Sequence, residues 1–171
     1  MAIVLIGVPG AGKTTVGALL AQRLNLDFVD SDEQIEKQTG KTISDIFVQD
    51  GETTFREIEK EAISEALSGD RIVLSVGGGA LMNEETRSRI KNHTVIWLKT
   101  GLTQAVDRIG MNRNRPLLLG NVRGQLADLM AAREPYYIEC AKFAVDTNSL
   151  NPMQVVDEIL IQMDGPVNAD N

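Results

Sequence analysis

The sequence predicts an α/β protein of three layers, in which helices cover both faces of a central five-stranded parallel sheet. Short apolar runs alternate along the 171 residues with segments of helical periodicity. Uninterrupted apolar runs are typical of strands buried on both faces, and strands that alternate with helices form parallel sheets. Hydrophobic residues make up 43% of the chain and charged residues 24%, the balance of a globular protein that buries its own core.

Five apolar runs are the predicted strands. They cover residues 2–6, 27–30, 71–76, 93–98 and 142–146. The first run is short and continuous, as expected for a strand covered on both faces, and RIVLSV and HTVIWL share this character. DFVD and KFAVD are read as shorter strands. Because ligands of parallel sheets bind beyond the carboxyl ends of the strands, the segments that follow these runs are the expected place of a site.

Segments of helical spacing follow the predicted strands. They cover residues 13–24, the region around Gln34, and residues 55–67, 125–140 and 152–163. Val16, Leu20 and Leu24 show the spacing in the first of these segments. A capping-box pattern at Thr53 is expected to open the helix over 55–67. Pro135 is expected to stop or kink the fourth helix.

Size and charge restrict the classes of function. Residues 1–164 have the length of one domain, and 165–171 are expected to form a disordered tail. The net charge of −7 disfavours a protein that binds nucleic acid through a basic surface. Against this acidic background, arginines crowd into one quarter of the chain, which indicates a small anionic ligand. They are Arg108, Arg113, Arg115, Arg123 and Arg133.

Cysteine content and hydropathy point to the cytoplasm. The one cysteine cannot form an internal disulfide, so an oxidising compartment is not required. The apolar runs are far shorter than the roughly 20 residues of a membrane-spanning helix. The first residues, MAIVLIG, lack the basic region of a signal peptide. We expect a cytoplasmic monomer with no nucleic-acid or membrane partner.

Residues 7–14, GVPGAGKT, match the pattern of a phosphate-binding loop and lie between a predicted buried strand and an amphipathic helix. In such loops backbone N–H groups point at phosphate oxygens, and the following helix adds the positive end of its dipole. Lys13 supplies a charge for the β- and γ-phosphates, and the Thr14 hydroxyl is the expected Mg²⁺ ligand. The predicted nucleotide contacts are Gly10, Ala11, Gly12, Lys13, Thr14 and Thr15.

The carboxylates after the second strand distinguish among nucleotide-binding proteins. The chain has no guanine-reading N/T-K-x-D segment, and RIVLSV does not end in the metal-ordering aspartate of a usual ATPase. The predicted metal-ordering carboxylate is therefore Asp30, at the end of DFVD. Asp32 lies two residues further, and on an extended chain it would project to the same side, toward an acceptor hydroxyl. The segment DSD is also typical of a helix N-cap, an alternative that stays open.

Arginines and glycines indicate an acceptor that carries a carboxylate. If Arg56 and Arg133 converge on one carboxylate, each charge-assisted hydrogen bond contributes about 1.5–3 kcal/mol. The alternatives are an exposed ion pair with Glu59 for Arg56 and an interaction with helix-end carbonyls for Arg133. The run Gly77-Gly78-Gly79 favours close approach of a ligand over a simple flexible turn.

Residues 110–124 differ in composition from the rest of the chain, since glycine and arginine punctuate them. This pattern predicts a mobile lid that excludes water and brings Arg115 onto the transferring phosphoryl group. A solvated surface loop is the alternative.

Together these motifs resemble the shikimate kinase family. GVPGAGKTTVG, FVDSD, FREIE, GGGA, RPLL and R-x-x-x-Y occur in this order over about residues 3–152. The resemblance implies a five-stranded parallel sheet of the nucleoside-monophosphate-kinase type. It also implies transfer of the ATP γ-phosphoryl group to the 3-hydroxyl of shikimate, on the route to aromatic amino acids, with ATP as co-substrate and Mg²⁺ as cofactor.

The resemblance further implies roles for individual residues. The implied catalytic residues are Lys13, Asp32 and Arg115, of which Arg115 also contacts the ATP phosphates. The implied shikimate contacts are Asp32, Arg56, Gly77, Gly78, Gly79 and Arg133. Thr14 and Asp30 would hold magnesium and its water, and Phe47 and Phe55 would line the pocket. Leu150 departs from the family pattern, because many members carry a basic residue there beside adenine.

Three other functions stay open. A gluconate-type or other polyol kinase would share the phosphate loop and lid, although it has no need of two arginines and a glycine run for a carboxylate. A nucleotide-dependent sensor would be expected to have a recognition domain or a large partner surface. A catalytically dead relative is disfavoured, because the implied functional residues are present.

Overall fold

The computed structural model of the protein describes residues 1–111 and 121–165. Its centre is a five-stranded sheet of order β2-β3-β1-β4-β5, in which neighbouring strands run parallel. The strands are β1 Ile3–Ile6, β2 Asp27–Asp30, β3 Ile72–Ser75, β4 Thr94–Lys99 and β5 Phe143–Asp146. The predicted fold class and all five predicted strands are confirmed.

Eight α-helices and one 3-10 turn, at Ala80–Met82, connect the strands within the described segments. The helices are α1 Lys13–Leu24, α2 Ser31–Thr39, α3 Ile43–Gln49, α4 Gly51–Ser68, α5 Glu84–Ile90, α6 Leu102–Met111, α7 Val122–Cys140 and α8 Pro152–Asp164. None of them is long and apolar enough to cross a membrane. The sequence pattern did not predict α3, α5 or α6.

Thr53 and Pro135 do not mark helix ends, although the predicted end of the fourth helix at Cys140 is confirmed. α4 begins at Gly51, so that Thr53 lies within its first turn and does not cap it. Pro135 does not end α7, which continues to Cys140. A proline inside a helix removes one hydrogen bond and crowds the preceding turn. Here Tyr137 and Cys140, beyond the proline, are buried in the core, and this packing stabilises the last turn of the helix.

The predicted lid overlaps two of these helices. Gly110 and Met111 end α6, and Val122 begins α7, whose N-cap is the Asn121 side chain. Arg115 and the remaining lid residues lie outside the described segments, as do residues 166–171 of the predicted tail.

The apolar core surrounds β1. Val4, Leu5 and Ile6 are completely buried, because β1 pairs with β3 on one side and β4 on the other while helices cover both faces. A second apolar cluster joins α2, α3 and α4 through Ile35, Ile46, Phe55 and Ala62. Helices α2 and α4 are thereby fixed to each other as well as to the sheet.

The strand register brings the functional segments to one edge of the sheet. Leu5 of β1 pairs with Ser75 of β3, and Ser75 pairs in turn with Asp30 of β2. The phosphate loop, the glycine run and the start of α2 follow these three strand ends. They therefore open together at the carboxyl edge, as expected for a parallel sheet.

Candidate active site

The phosphate loop is a tight turn between β1 and α1. Gly10 and Gly12 have φ angles of 82° and 91°, a left-handed conformation that side chains disfavour. A Cβ atom on Gly10 would also lie 2.8 Å from the backbone oxygen of Ala105, since α6 packs directly against the loop. Within the described segments no side chain caps the N-terminus of α1 and no acidic residue lies in its first turn. This helix end is therefore suited to an anion.

Lys13 lies over the phosphate loop. Its side chain is largely buried, and Nζ donates hydrogen bonds to the backbone oxygens of Gly7, at 2.8 Å, and Val8, at 3.2 Å. These carbonyls hold the ammonium group at the mouth of the loop. The charge of Lys13 thus lies beside the N–H groups that would donate hydrogen bonds to phosphate.

A cavity of about 240 Å³ adjoins the loop. Its lining is Gly10, Gly12, Lys13, Thr14, Thr15, Asp30, Asp32, Ser75, Val76, Gly77, Gly78, Arg108 and Ile109. Nine of the residues predicted from the sequence therefore meet in one space. Ala11, within the loop, is buried. Gly79, the last residue of the glycine run, does not line the cavity, and neither do Arg56 and Arg133, which approach that run.

Asp30 caps α2, as the N-cap alternative predicted, and its other oxygen contacts Thr14, the predicted magnesium ligand. Its Oδ1 accepts from the N–H groups of Asp32 and Glu33 and so caps α2, while Oδ2 accepts from the Thr14 hydroxyl at 2.8 Å. The expectation that Asp30 and Asp32 project alike from an extended chain was wrong, because β2 ends at Asp30 and Asp32 lies in the first turn of α2. Both carboxylates reach the cavity nonetheless.

Each glycine of the run leaves room for charged groups. A Cβ atom on Gly77 would lie 2.6 Å from Oε1 of Glu59 and 3.0 Å from Oδ1 of Asp32. A Cβ on Gly78 would lie 2.8 Å from Nη1 of Arg133, and one on Gly79 would lie 2.7 Å from Nη1 of Arg56. The absence of side chains in this run is thus what permits two arginines and two carboxylates to approach the same backbone.

Arg56 belongs to this site rather than to the surface. Its Nη1 donates to Oε2 of Glu59 at 2.6 Å, and its guanidinium lies 5.9 Å and 5.2 Å from the ring centres of Phe47 and Phe55. The expected Glu59 pair exists, but it is not an exposed one: Glu59 is only 2% exposed. Burial raises the pKa of Glu59 above its ordinary value, and the nearby Asp32 charge adds to this rise, while Arg56 and Arg133 oppose it.

Arg133 approaches the glycine run from α7. Because α7 continues to Cys140, Arg133 is not in the last turn, and the alternative of an interaction with helix-end carbonyls is wrong. Tyr137, one turn further along α7, donates from its hydroxyl to the backbone oxygen of Gly78 at 3.1 Å. Burial raises the pKa of Tyr137 to about 12, and the Arg133 charge opposes this rise.

The sequence analysis assigned no position in this site to Glu59, Arg108 or Tyr137, although it counted Arg108 among the arginines that indicate an anionic ligand. Arg108 comes from α6, and its Nη1 donates to the Gly10 oxygen at 3.2 Å while Nη2 donates to the Thr147 oxygen at 3.2 Å. It thereby ties the phosphate loop to the segment that follows β5. Leu150 packs against the apolar core and does not line the cavity, whereas Arg108 does line it. For Arg108, the crowding of arginines in this part of the sequence was the available signal.

A phosphate loop opposite a pocket of carboxylates, arginines and exposed glycine backbone defines a phosphate-loop kinase that acts on a small anionic acceptor. Comparison with known proteins identifies the family. A family model described as shikimate kinase matches residues 9–164, and the chain belongs to that family.

Relatives and solved structures agree with this assignment. A shikimate kinase of Thermobifida fusca is 47% identical over 156 residues, which are 91% of this chain and 91% of that protein. The structure of shikimate kinase from Acinetobacter baumannii in complex with shikimate has a TM-score of 0.92 and 37% identity, covering 97% of this chain and 94% of that one. Shikimate kinase from Aquifex aeolicus has a TM-score of 0.86 and 33% identity, covering 99% and 100% of the two chains.

Proposed function

We propose that this protein transfers the γ-phosphoryl group of ATP to the 3-hydroxyl of shikimate, giving shikimate 3-phosphate and ADP in the route to aromatic amino acids. The observation that carries the proposal is the convergence of Arg56 and Arg133 on the glycine run, beside Asp32 and opposite the phosphate loop. Membership of the shikimate kinase family supports it. So does the Acinetobacter baumannii shikimate kinase, which was solved with shikimate.

The phosphate loop and α1 would bind the phosphates of ATP. The N–H groups of Gly10 to Thr15 would donate hydrogen bonds to phosphate oxygens, and Lys13 would neutralise charge on the transferring group. Arg108 holds the shape of the loop through its hydrogen bond to the Gly10 oxygen. Contact of Arg115 with the ATP phosphates remains a prediction from the family resemblance, because that residue lies outside the described segments.

Thr14 and Asp30 fit a magnesium ion. Their two oxygens are 2.8 Å apart at the edge of the cavity, and Mg²⁺ in such sites takes one or two protein oxygens together with substrate phosphates. The second oxygen of Asp30 caps α2, which fixes the carboxylate in place. When bound, the ion would neutralise charge on the β- and γ-phosphates.

Arg56 and Arg133 would hold the shikimate carboxylate, and Asp32 would accept a hydrogen bond from the 3-hydroxyl. The hydroxyl oxygen bonds to the γ-phosphorus while the bond from that phosphorus to the bridging oxygen breaks, and ADP leaves. The hydroxyl proton passes to the Asp32 carboxylate. A loose transition state needs little help from a base, so orientation of the hydroxyl is the larger part of this role. Residues 1–164 act as one kinase domain in this proposal.

The test is ADP release from the purified protein with MgATP, in parallel with shikimate, with gluconate and with no acceptor. We expect release with shikimate alone. Release with gluconate would retain the kinase chemistry and reject the carboxylate pocket as described. Release that does not depend on either acceptor, or nucleotide binding without release, would reject the proposed function.

A further inference from the structure

We propose that Tyr137 is a positioning residue of the acceptor site, which acts by holding Gly78 and Arg133 in the arrangement that binds the acceptor carboxylate. The inference rests on the proposed function and adds to it a residue that touches neither ligand. It depends on how the glycine run is held, since the run has no side chains of its own to pack.

Two buried hydroxyls hold the glycine run. On one side the Ser31 hydroxyl, in α2 between Asp30 and Asp32, accepts from the N–H of Gly77 at 3.1 Å. On the other side the Tyr137 hydroxyl donates to the oxygen of Gly78 at 3.1 Å. Ser31 is completely buried and Tyr137 is 1% exposed, so water does not replace either bond. The run is therefore fixed from both α2 and α7.

Tyr137 also links the glycine run to Arg133. The two residues are one turn apart on α7 and so share a face of the helix. The Arg133 charge is close enough to the Tyr137 hydroxyl to oppose the rise in its pKa, and a Cβ atom on Gly78 would lie 2.8 Å from Nη1 of Arg133. The Tyr137 hydroxyl thus binds Gly78 and lies beside Arg133, the two groups that the proposed function assigns to the acceptor on this side, and neither of them belongs to the phosphate loop.

The hydroxyl keeps its proton under assay conditions. Burial raises the pKa of Tyr137 to about 12, so the group remains a donor toward Gly78 at neutral pH. The ring has a separate role, because it packs into the core with its centre 5.7 Å from that of Trp97 on β4. Phenylalanine at this position would preserve the ring packing and remove only the hydroxyl, with its hydrogen bond to Gly78.

The experiment compares Tyr137→Phe with wild type and with Tyr136→Phe. Tyr136 is the matched control, because it adjoins Tyr137 but its ring lies under Arg87, 4.5 Å from that guanidinium, and not at the glycine run. We expect Tyr137→Phe to raise the KM for shikimate about three- to tenfold, the effect of one lost hydrogen bond, and to leave the KM for ATP unchanged. We expect Tyr136→Phe to alter neither.

Shikimate binding is also measured by the fluorescence of Trp97, the one tryptophan of the chain, which lies beside Tyr137. Ser31→Ala is a second variant: it removes the bond at Gly77 and is expected to raise the shikimate KM selectively as well. An unchanged shikimate KM in Tyr137→Phe, with or without a lower melting temperature, overturns the inference, as does an equal rise for ATP. Absence of shikimate-dependent ADP release from wild type would instead reject the proposed function.

Discussion

Replacing Gly79 with alanine is expected to weaken acceptor binding without unfolding the protein. Gly79 has φ −100° and ψ −4°, which alanine adopts without strain. The new Cβ would lie nearest to Nη2 of Arg56 and 2.7 Å from Nη1, so the guanidinium has to move by about 1 Å to restore an ordinary contact of about 3.5 Å. Loss of one charge-assisted hydrogen bond costs about 1.5–3 kcal/mol, which raises the KM for shikimate about tenfold to 150-fold.

The assay is ADP release with shikimate varied at saturating MgATP, together with denaturant unfolding. The free energy of unfolding should change by less than about 1 kcal/mol, because alanine also restricts the unfolded chain. Gly69→Ala is the matched control: Gly69 ends α4 at φ −77°, and a Cβ there would lie 3.3 Å from the Ala66 oxygen. An unchanged shikimate KM in Gly79→Ala would refute the assignment of Arg56 to the acceptor, and an equal rise for ATP would refute its selectivity.

Three further substitutions test the site. Arg133→Ala should raise the shikimate KM more than tenfold and leave ATP affinity nearly unchanged, as measured by varying each substrate in turn; equal losses would contradict a carboxylate clamp. Asp32→Asn should lose most turnover while still binding ATP in a direct titration, and near-normal turnover would remove Asp32 from the mechanism. Because burial raises the pKa of Glu59 above 4.5, the folded protein binds the extra proton, and wild type should lose unfolding free energy as pH rises through that raised pKa. Denaturant unfolding at a series of pH values should show a smaller loss of unfolding free energy in Glu59→Gln. Curves of unfolding free energy against pH that run parallel for the two proteins would contradict a raised pKa of Glu59 as the cause.

The strands and the helices of twelve or more residues, α1, α4, α7 and α8, could be predicted because each is long or apolar enough to show its period, whereas α6 was missed. α3 and α5 have seven residues each, about two turns, and this length gives too few apolar positions to distinguish a helix from a loop. Their starts are defined instead by side-chain caps at Thr42 and Asn83. Pro135 was expected to stop or kink α7, and the burial of the residues beyond it explains why the helix continues to Cys140, the end that the helical spacing predicted.

The site could be predicted where a residue's chemistry depends on its neighbours in sequence. Lys13 is such a residue, since the phosphate loop is one continuous segment. Tyr137 and Arg108 are not, because their partners are remote: 59 residues separate Tyr137 from Gly78, and 98 separate Arg108 from Gly10. Glu59 was considered only as an ion-pair partner, since sequence does not show that its helix face is buried.

The strand order places the residues proposed to bind the acceptor and those proposed to bind the nucleotide on different sides of the phosphate loop, so substitutions can change one set without the other. β1 lies between β3 and β4, so the acceptor groups of α2, α4 and the glycine run lie to one side of the phosphate loop, and α6 with Arg108 lies to the other. A lineage that acquires a new acceptor can therefore substitute residues on the first side while the nucleotide side keeps its sequence. A Cβ atom on Gly78 would lie 3.1 Å from Cδ of Pro9, where the two sides meet, so a larger residue at position 78 would press on the phosphate loop as well as on the proposed acceptor pocket.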